Sequence, residues 1–375
     1  MFMQTIVYVV NQLRKSGPVN VLKDIISKLD RDRFKPVIIK FMQDDLARSI
    51  TEQFREMDID IYEMRLSFWN LELETGMVAY KLDLLLDKIR PDLIHTHGYH
   101  PVLVTSRLKY SCPKVETLHC ISCEDFIYSK GYVLGYYMNW RYLKRLNHMD
   151  CCVAISKTIQ KFYRMKLPKN NVELVYNGID EKFFVIKKNK IDLRTKLNLP
   201  LDKKIFLVVG SLEIRKDPVT IIKAFKQSLN KESSHLIFLG QGPLKNKCQK
   251  MTENDPNIEF KGYVFNVFDY FMVADYSICA SRSEGFGLNF IEALMAGVPV
   301  IGSKIGPFNE FAALYPQLQP LQFATGNVNE LAEKITYAMS NSIEIENLIP
   351  DLISRFSATA MAQSYMRLYD ELIEK

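Results

Sequence analysis

A chain of 375 residues is long enough for two domains, each burying a core of its own. With 47% hydrophobic and 25% charged residues it has the make-up of an ordinary globular protein. No apolar run approaches the roughly 18 residues that a membrane-spanning helix needs. The net charge of +6 is uneven: residues 1–185 hold 27 basic and 22 acidic side chains, which leaves +1 for the rest.

In chain order, short β-branched runs alternate with helix-length amphipathic stretches, the pattern of α/β architecture with parallel strands. The opening MFMQTIVYVVNQ lacks the basic start and long apolar core of a signal peptide and reads as a first buried strand, Thr5–Val10. Further strands are expected at Pro36–Phe41, Asp60–Tyr62, Leu93–His95, Lys114–Leu118, Cys152–Ile155 and Glu173–Val175. Amphipathic helices are expected over Val19–Leu29, Glu72–Ile89 and Tyr132–Asn147. Lys187–Lys190 and the polar residues up to Lys204 read as a linker. The pattern then restarts, with strands at Ile205–Val209, Leu236–Leu239, Ile258–Lys261, Tyr276–Cys279 and Pro299–Gly302. A periodic helix, Ala358–Lys375, closes the chain. This organisation divides it into 1–185, 186–357 and a C-terminal helix 358–375 packing back toward the first domain.

Seven cysteines without a regular framework favour reduced thiols and a cytoplasmic protein. Cys120 and Cys123 form a C-x-x-C pair with His95, His97, His100 and His119 close in sequence, but the second half of a zinc motif is missing. These cysteines are read as small core residues, and His95 and His97 as structural. Phe126–Val172 carries nine Lys/Arg against Asp150 alone and is rich in Tyr, with Trp140 among them. In a helix, Tyr132, Tyr136 and Trp140 share one face. That face is either domain core or a surface for anionic lipid at the inner face of the plasma membrane.

In open parallel sheets ligands sit beyond the carboxyl ends of strands, so the loops there carry the chemistry. GSLEIRKDP, Gly210–Pro218, follows a strand and opens a helix, with Asp217 as N-cap and Pro218 first in the helix. Gly210 lets backbone approach a ligand, and Arg215 and Lys216 are placed to neutralise a diphosphate. SRSEGFGLNFIEA, Ser281–Ala293, also follows a strand. Gly285 and Gly287 permit a tight loop, and a helix starting near Leu288 brings its N-terminal amides to where a phosphate can sit. Glu284 in the loop and Glu292 in the helix can then address separate parts of one ligand.

EGFGLNFIEA followed by MAGVPVIGS resembles the donor-binding signature of the family-4 retaining glycosyltransferases, and Glu284 and Glu292 match that family's E-x7-E pattern. NGID at Asn177–Asp180, GSLEIRKDP, GQGPL at Gly240–Leu244 and Gly262 agree in type and order. The resemblance implies a GT-B fold, two Rossmann-like doubly wound domains facing across a cleft. It implies that Arg215 and Lys216 bind the donor diphosphate and stabilise the leaving group, and that Glu292 holds the ribose hydroxyls. Glu284 would lie near the transferred sugar, with the backbone of Phe286, Gly287 and Leu288 helping to hold it. Gly17 corresponds to the glycine-bearing first loop, and His119 to the histidine at the sugar end of the cleft. Pro18 and Pro307 depart from the pattern, each following a glycine.

The expected reaction is retaining transfer from a nucleotide sugar, UDP- or GDP-linked, to a glycan or lipid-linked acceptor in bacterial cell-surface polysaccharide synthesis. It is expected to need no metal, as the sequence has no convincing D-x-D metal motif, and no cofactor; no nucleic-acid partner is expected. A sugar-nucleotide epimerase of similar fold and a non-catalytic glycan-binding protein are the alternatives. A nicotinamide dehydrogenase is disfavoured, because no G-x-G-x-x-G follows the first strand.

Overall fold

Strands covered on both faces must be apolar along their whole length, and this chain supplies many such runs. The structure, a computed structural model, describes residues 3–45, 48–168, 171–181, 189–229, 231–253 and 255–375. It forms two compact units, Met1–Asp180 with Phe356–Lys375, and Glu181–Arg355. The expected division at residues 185/186 lies outside the described residues.

Among the described residues of the first unit, seven strands make one parallel sheet. They are β1 Gln4–Val10, β2 Phe34–Lys40, β3 Asp60–Glu63, β4 Leu93–His97, β5 Lys114–Leu118, β6 Cys151–Ala154 and β7 Val172–Leu174, ordered β3-β2-β1-β4-β5-β6-β7. Central β1 sets the register, with Ile6 opposite Pro36 on one side and Leu93 on the other. Its Ile6, Val7, Tyr8 and Val9 are fully buried. Helix Gly17–Ser27 covers the sheet with Val21, Leu22, Ile25 and Ile26.

The helix expected over Glu72–Ile89 is two helices, Phe68–Leu73 and Thr75–Ile89. Glu74 separates them with non-helical torsions, and Ser67 with Asn70 forms a capping box at the start of the first. The C-terminal helix, Ala358–Ile373, lies in this unit. Its Tyr369 hydroxyl meets Tyr8 Oη at 3.2 Å and His95 Nδ1 at 2.7 Å, and Tyr365 Oη meets Thr117 Oγ1 at 2.8 Å. Arg33 pairs with Asp370 at 2.6 Å on the same helix.

The second unit repeats the scheme with β8 Lys204–Val209, β9 Ser234–Leu239, β10 Ile258–Gly262, β11 Tyr276–Cys279, β12 Val300–Ser303 and β13 Gln322–Phe323. Its order among the described residues is β10-β9-β8-β11-β12-β13, all parallel. The expected linker is partly a helix, Lys190–Lys196, started by the Asn189 side chain accepting from Ile191 and Asp192 amides. Lys190 Nζ and Arg194 Nη2 each reach the Asp275 carboxylate at 2.7 Å and fasten that helix to this unit. Residues 182–188, including Lys187, lie outside the described residues.

Both sheets reverse their winding once, between β1 and β4 and between β8 and β11. At such a switch point the loops leaving the two strands diverge and open a crevice.

Candidate active site

In the second unit the crevice is flanked by Gly210–Asp217, leaving β8, and Ala280–Gly287, leaving β11. Gly210 has φ +148° and Gly240 φ +134°, and a Cβ on Gly240 would stand 2.0 Å from the Gly210 carbonyl oxygen. The two loops after β8 and β9 therefore pack backbone to backbone, which only glycine permits here. Asp217 caps helix Pro218–Gln227, accepting from the Thr220 amide, and pairs with Arg282 at 2.7 Å. The Arg282 amide donates to the Arg215 carbonyl at 2.7 Å. These bonds tie the basic turn to the loop that carries Glu284.

Glu284 is the centre of the cluster. Its carboxylate accepts from Lys216 Nζ, from Arg215 Nη1 at 3.1 Å and from Ser281 Oγ at 2.7 Å, with its side chain only 9% exposed. Burial pushes the Glu284 pKa upward, but the charges of Lys216 and Arg215 and these hydrogen bonds outweigh it, so the carboxyl titrates below its usual range. Arg215 also donates to the Ser283 carbonyl at 3.0 Å and pairs with Glu213 at 3.1 Å. An ammonium has three N–H donors, so Lys216 keeps capacity for a further anion.

Glu292 contrasts with Glu284. It sits on helix Leu288–Met295, and burial pushes its carboxyl up to about 7, opposed by the charge of Lys216. Among the described residues no donor hydrogen-bonds its carboxylate. The helix starts at Leu288, and Gly287 before it has φ +94° and offers no capping side chain. A Cβ on Gly287 would lie 2.5 Å from Phe308 Cε1, so glycine is required for both torsion and space. Phe286 is buried edge-on against Phe311 at 5.3 Å, which leaves only its backbone for ligand contact. Gly285 is half-buried in the loop between the two acids.

Gly17, His95, His97, His119 and Cys120 lie in the first unit, which holds a cavity of about 310 Å³ at the β1/β4 switch point. His119, just beyond β5, lines it and stacks on His97, with His119 Nε2 at 2.9 Å from His97 Nδ1. Burial pulls His119 down to about 4, so the imidazole is neutral at physiological pH. His95 is fully buried, bonded to Tyr369 and to Thr117 Oγ1 at 2.8 Å, and burial takes it to about 3. Cys120 lines the cavity, yet among the described residues no three His, Cys, Asp or Glu are grouped to hold a metal ion. Gly17 opens helix Gly17–Ser27 without a left-handed torsion, and a Cβ there would meet nothing within 4 Å. Its neighbours Ser16 and Pro18 line the cavity.

Glu116 escaped the sequence reading. It is fully buried in β5, accepts from Thr96 Oγ1 at 2.5 Å, Tyr142 Oη at 2.6 Å and the Gly98 amide at 3.1 Å, and burial pushes it up to about 8. The signal was an acid inside KVETL, a strand covered on both faces, where a carboxyl must be neutral or fully bonded.

Two family models match the chain in succession: Glycosyltransferase Family 4 over residues 16–183 and Glycosyl transferases group 1 over residues 189–351. The O-antigen biosynthesis glycosyltransferase WclY of Escherichia coli is 27% identical over 99% of each chain. The putative teichuronic acid biosynthesis glycosyltransferase TuaC of Bacillus subtilis is 29% identical over 66% of this chain and 61% of its own. Among solved structures, HepE of Anabaena in complex with UDP and glucose matches with a TM-score of 0.80 at 16% identity, covering 99% of this chain and 100% of that one. Sucrose-phosphate synthase of Thermosynechococcus elongatus matches with a TM-score of 0.81 at 19% identity over 99% of each chain. These likenesses show the fold, and the family models name its members: the chain is a glycosyltransferase of family 4 with the GT-B fold.

Proposed function

We propose that this glycosyltransferase moves a sugar from a UDP- or GDP-linked donor to a glycan or lipid-linked acceptor with retention of anomeric configuration and without a metal ion, in building a bacterial surface polysaccharide. The observation that carries the reading is the joint hold of Arg215 and Lys216 on buried Glu284, near the Glu292 carboxyl, which no donor among the described residues hydrogen-bonds, at the β8/β11 switch point. Glu284 fixes both cations in place before any donor arrives, so little reorganisation is needed when diphosphate charge develops. Glu292 accepts from the ribose hydroxyls, and that contact favours its ionised form. The acceptor hydroxyl oxygen attacks the anomeric carbon as the bond from that carbon to the phosphate oxygen breaks. The departing phosphate takes the hydroxyl proton on the same face, and nucleoside diphosphate leaves.

The pathway assignment leans on the printed names of the Escherichia coli and Bacillus subtilis relatives. The test is a product assay with a panel of UDP- and GDP-sugars and polyprenyl-linked acceptors in EDTA. An α-linked product from an α-linked donor supports the reading. An inverted linkage or an absolute need for a divalent ion overturns it, and donor conversion without acceptor favours an epimerase.

A further inference from the structure

Helix Tyr132–Leu146 turns its two arcs to different surroundings. Gly135, Met138, Tyr142 and Leu146 are buried, and Gly135 lies so close to the preceding helix that a Cβ would come within 2.8 Å of the Ile127 amide nitrogen. At 100° per residue, Tyr132, Val133, Tyr136, Tyr137 and Trp140 fall on the opposite arc. They are 73%, 89%, 56%, 51% and 58% exposed. The aromatic face read from the sequence is therefore not core. It is continued by a second element, because Arg141 donates to both the carboxylate and the carbonyl of Glu72. Helix Phe68–Leu73 is thereby held alongside, and its Trp69 and Leu73 are 66% and 76% exposed.

We propose that these two helices form a docking face for an anionic lipid bilayer. Large apolar side chains exposed together on neighbouring helices mark an interaction surface. Its composition selects the partner: Tyr and Trp rings with flanking cations suit the boundary between headgroups and acyl chains. Lys130 and Lys144 are exposed, Lys144 stands 5.4 Å over the Trp140 ring, and among the described residues no carboxylate pairs with Lys130, Lys144 or Arg145. Exposed Glu124 and Asp125 sit in the first turn of the preceding helix, at the end away from Lys130. The rings enter the interface and the lysines meet lipid phosphates.

The chain has two tryptophans, Trp69 and Trp140, and both lie on this face, so its tryptophan fluorescence, excited selectively over tyrosine, reports the face alone. The experiment titrates the full chain with vesicles of mixed phosphatidylglycerol and phosphatidylcholine, and with phosphatidylcholine alone, across a salt series. The expected result is a saturable blue shift on the anionic vesicles that weakens as salt rises. Trp69→Phe and Trp140→Phe each leave one reporter, and both shift and are quenched by brominated acyl chains. Tyr132→Ser with Tyr136→Ser, at exposed positions, leaves the melting temperature unchanged and weakens lipid binding about tenfold. The proposal is overturned by absence of a shift, or by equal shifts on both vesicle types that ignore salt. A shift of one reporter only overturns it, as does a shift that grows with protein concentration without lipid and accompanies dimer formation.

Discussion

The two units share a parallel, doubly wound sheet and a switch point, yet their crevices are built on opposite electrostatic plans. Around the β8/β11 crevice, buried Glu284 is kept ionised by Lys216 and Arg215, so charge is held by charge. Around the β1/β4 cavity, burial leaves His119 and His97 neutral and pushes Glu116 up to about 8, so charge is suppressed. Topology fixes where a ligand site sits, and side chains beyond the strand ends fix its chemical class.

The sharpest way to break this contrast is to discharge the second unit. Arg215→Ala with Lys216→Ala is expected to lower kcat/KM at least about 1000-fold, roughly 4 kcal/mol of transition-state stabilisation. Steady-state transfer assays check this, and a chelator added to the wild type should leave the rate unaltered. A loss under tenfold would detach these cations from the donor.

Glu292 tests the same crevice at smaller scale. Glu292→Ala should cost about 100-fold in kcat/KM, the worth of two charge-assisted hydrogen bonds. Its raised pKa also makes a stability statement. Stability linked to the protonated form is present below the unfolded value of 4.5 and is lost as pH rises through about 7. Glu292→Gln removes that loss, so at pH 8 it should be more stable than wild type by on the order of 2 kcal/mol, with little difference at pH 4.5. Denaturant titrations at both pH values read this directly.

Acid should strike the first unit before the second. His119 and His95 are lowered from 6.5 to about 4 and about 3, so their stabilising contribution is complete above pH 6.5 and fades as pH falls toward 4. The expected loss is about 3 kcal/mol for each of the two between pH 6.5 and 4. Glu284 is lowered from 4.5, so its contribution is lost only below that pH. Proteolysis at pH 5 should therefore cut within residues 1–180 first.

Glycines give the smallest effects and the cleanest contrast. Gly287→Ala imposes a strained torsion and a clash with Phe308, costing about 2 kcal/mol or more. Gly17→Ala adds a Cβ into open space at a helix start and should change stability by no more than about 0.5 kcal/mol. Thermal melts of the two variants separate a glycine required by the fold from one that is not.

Local signals were legible in the sequence. Tyr276–Cys279 and Lys114–Leu118 form strands where apolar runs predict them, Leu288 begins its helix, and Asp217 with Pro218 starts helix Pro218–Gln227. What stayed hidden depends on partners far along the chain. Helix Lys190–Lys196 looked like a linker because the carboxylate that holds it, Asp275, lies about 80 residues on. Nothing local to Glu284 shows that Lys216 and Arg215 converge on it, or that Glu292 goes unpartnered. β13, only Gln322–Phe323, is too short to carry a periodicity. The aromatic helix left core and surface open, because a four-residue spacing names a face without saying what that face meets.

In the proposed reaction Arg215 and Lys216, poised on Glu284, bind the diphosphate of the donor without a metal. Calorimetric titration of UDP and GDP into the wild type and into the Arg215→Ala, Lys216→Ala variant, both in EDTA, tests it most directly. The expected result is one site for one of the two nucleotides on the wild type, weakened at least about 100-fold in a variant whose melting temperature is unchanged. Equal affinity in the two proteins, or binding that appears only with a divalent ion, would contradict it.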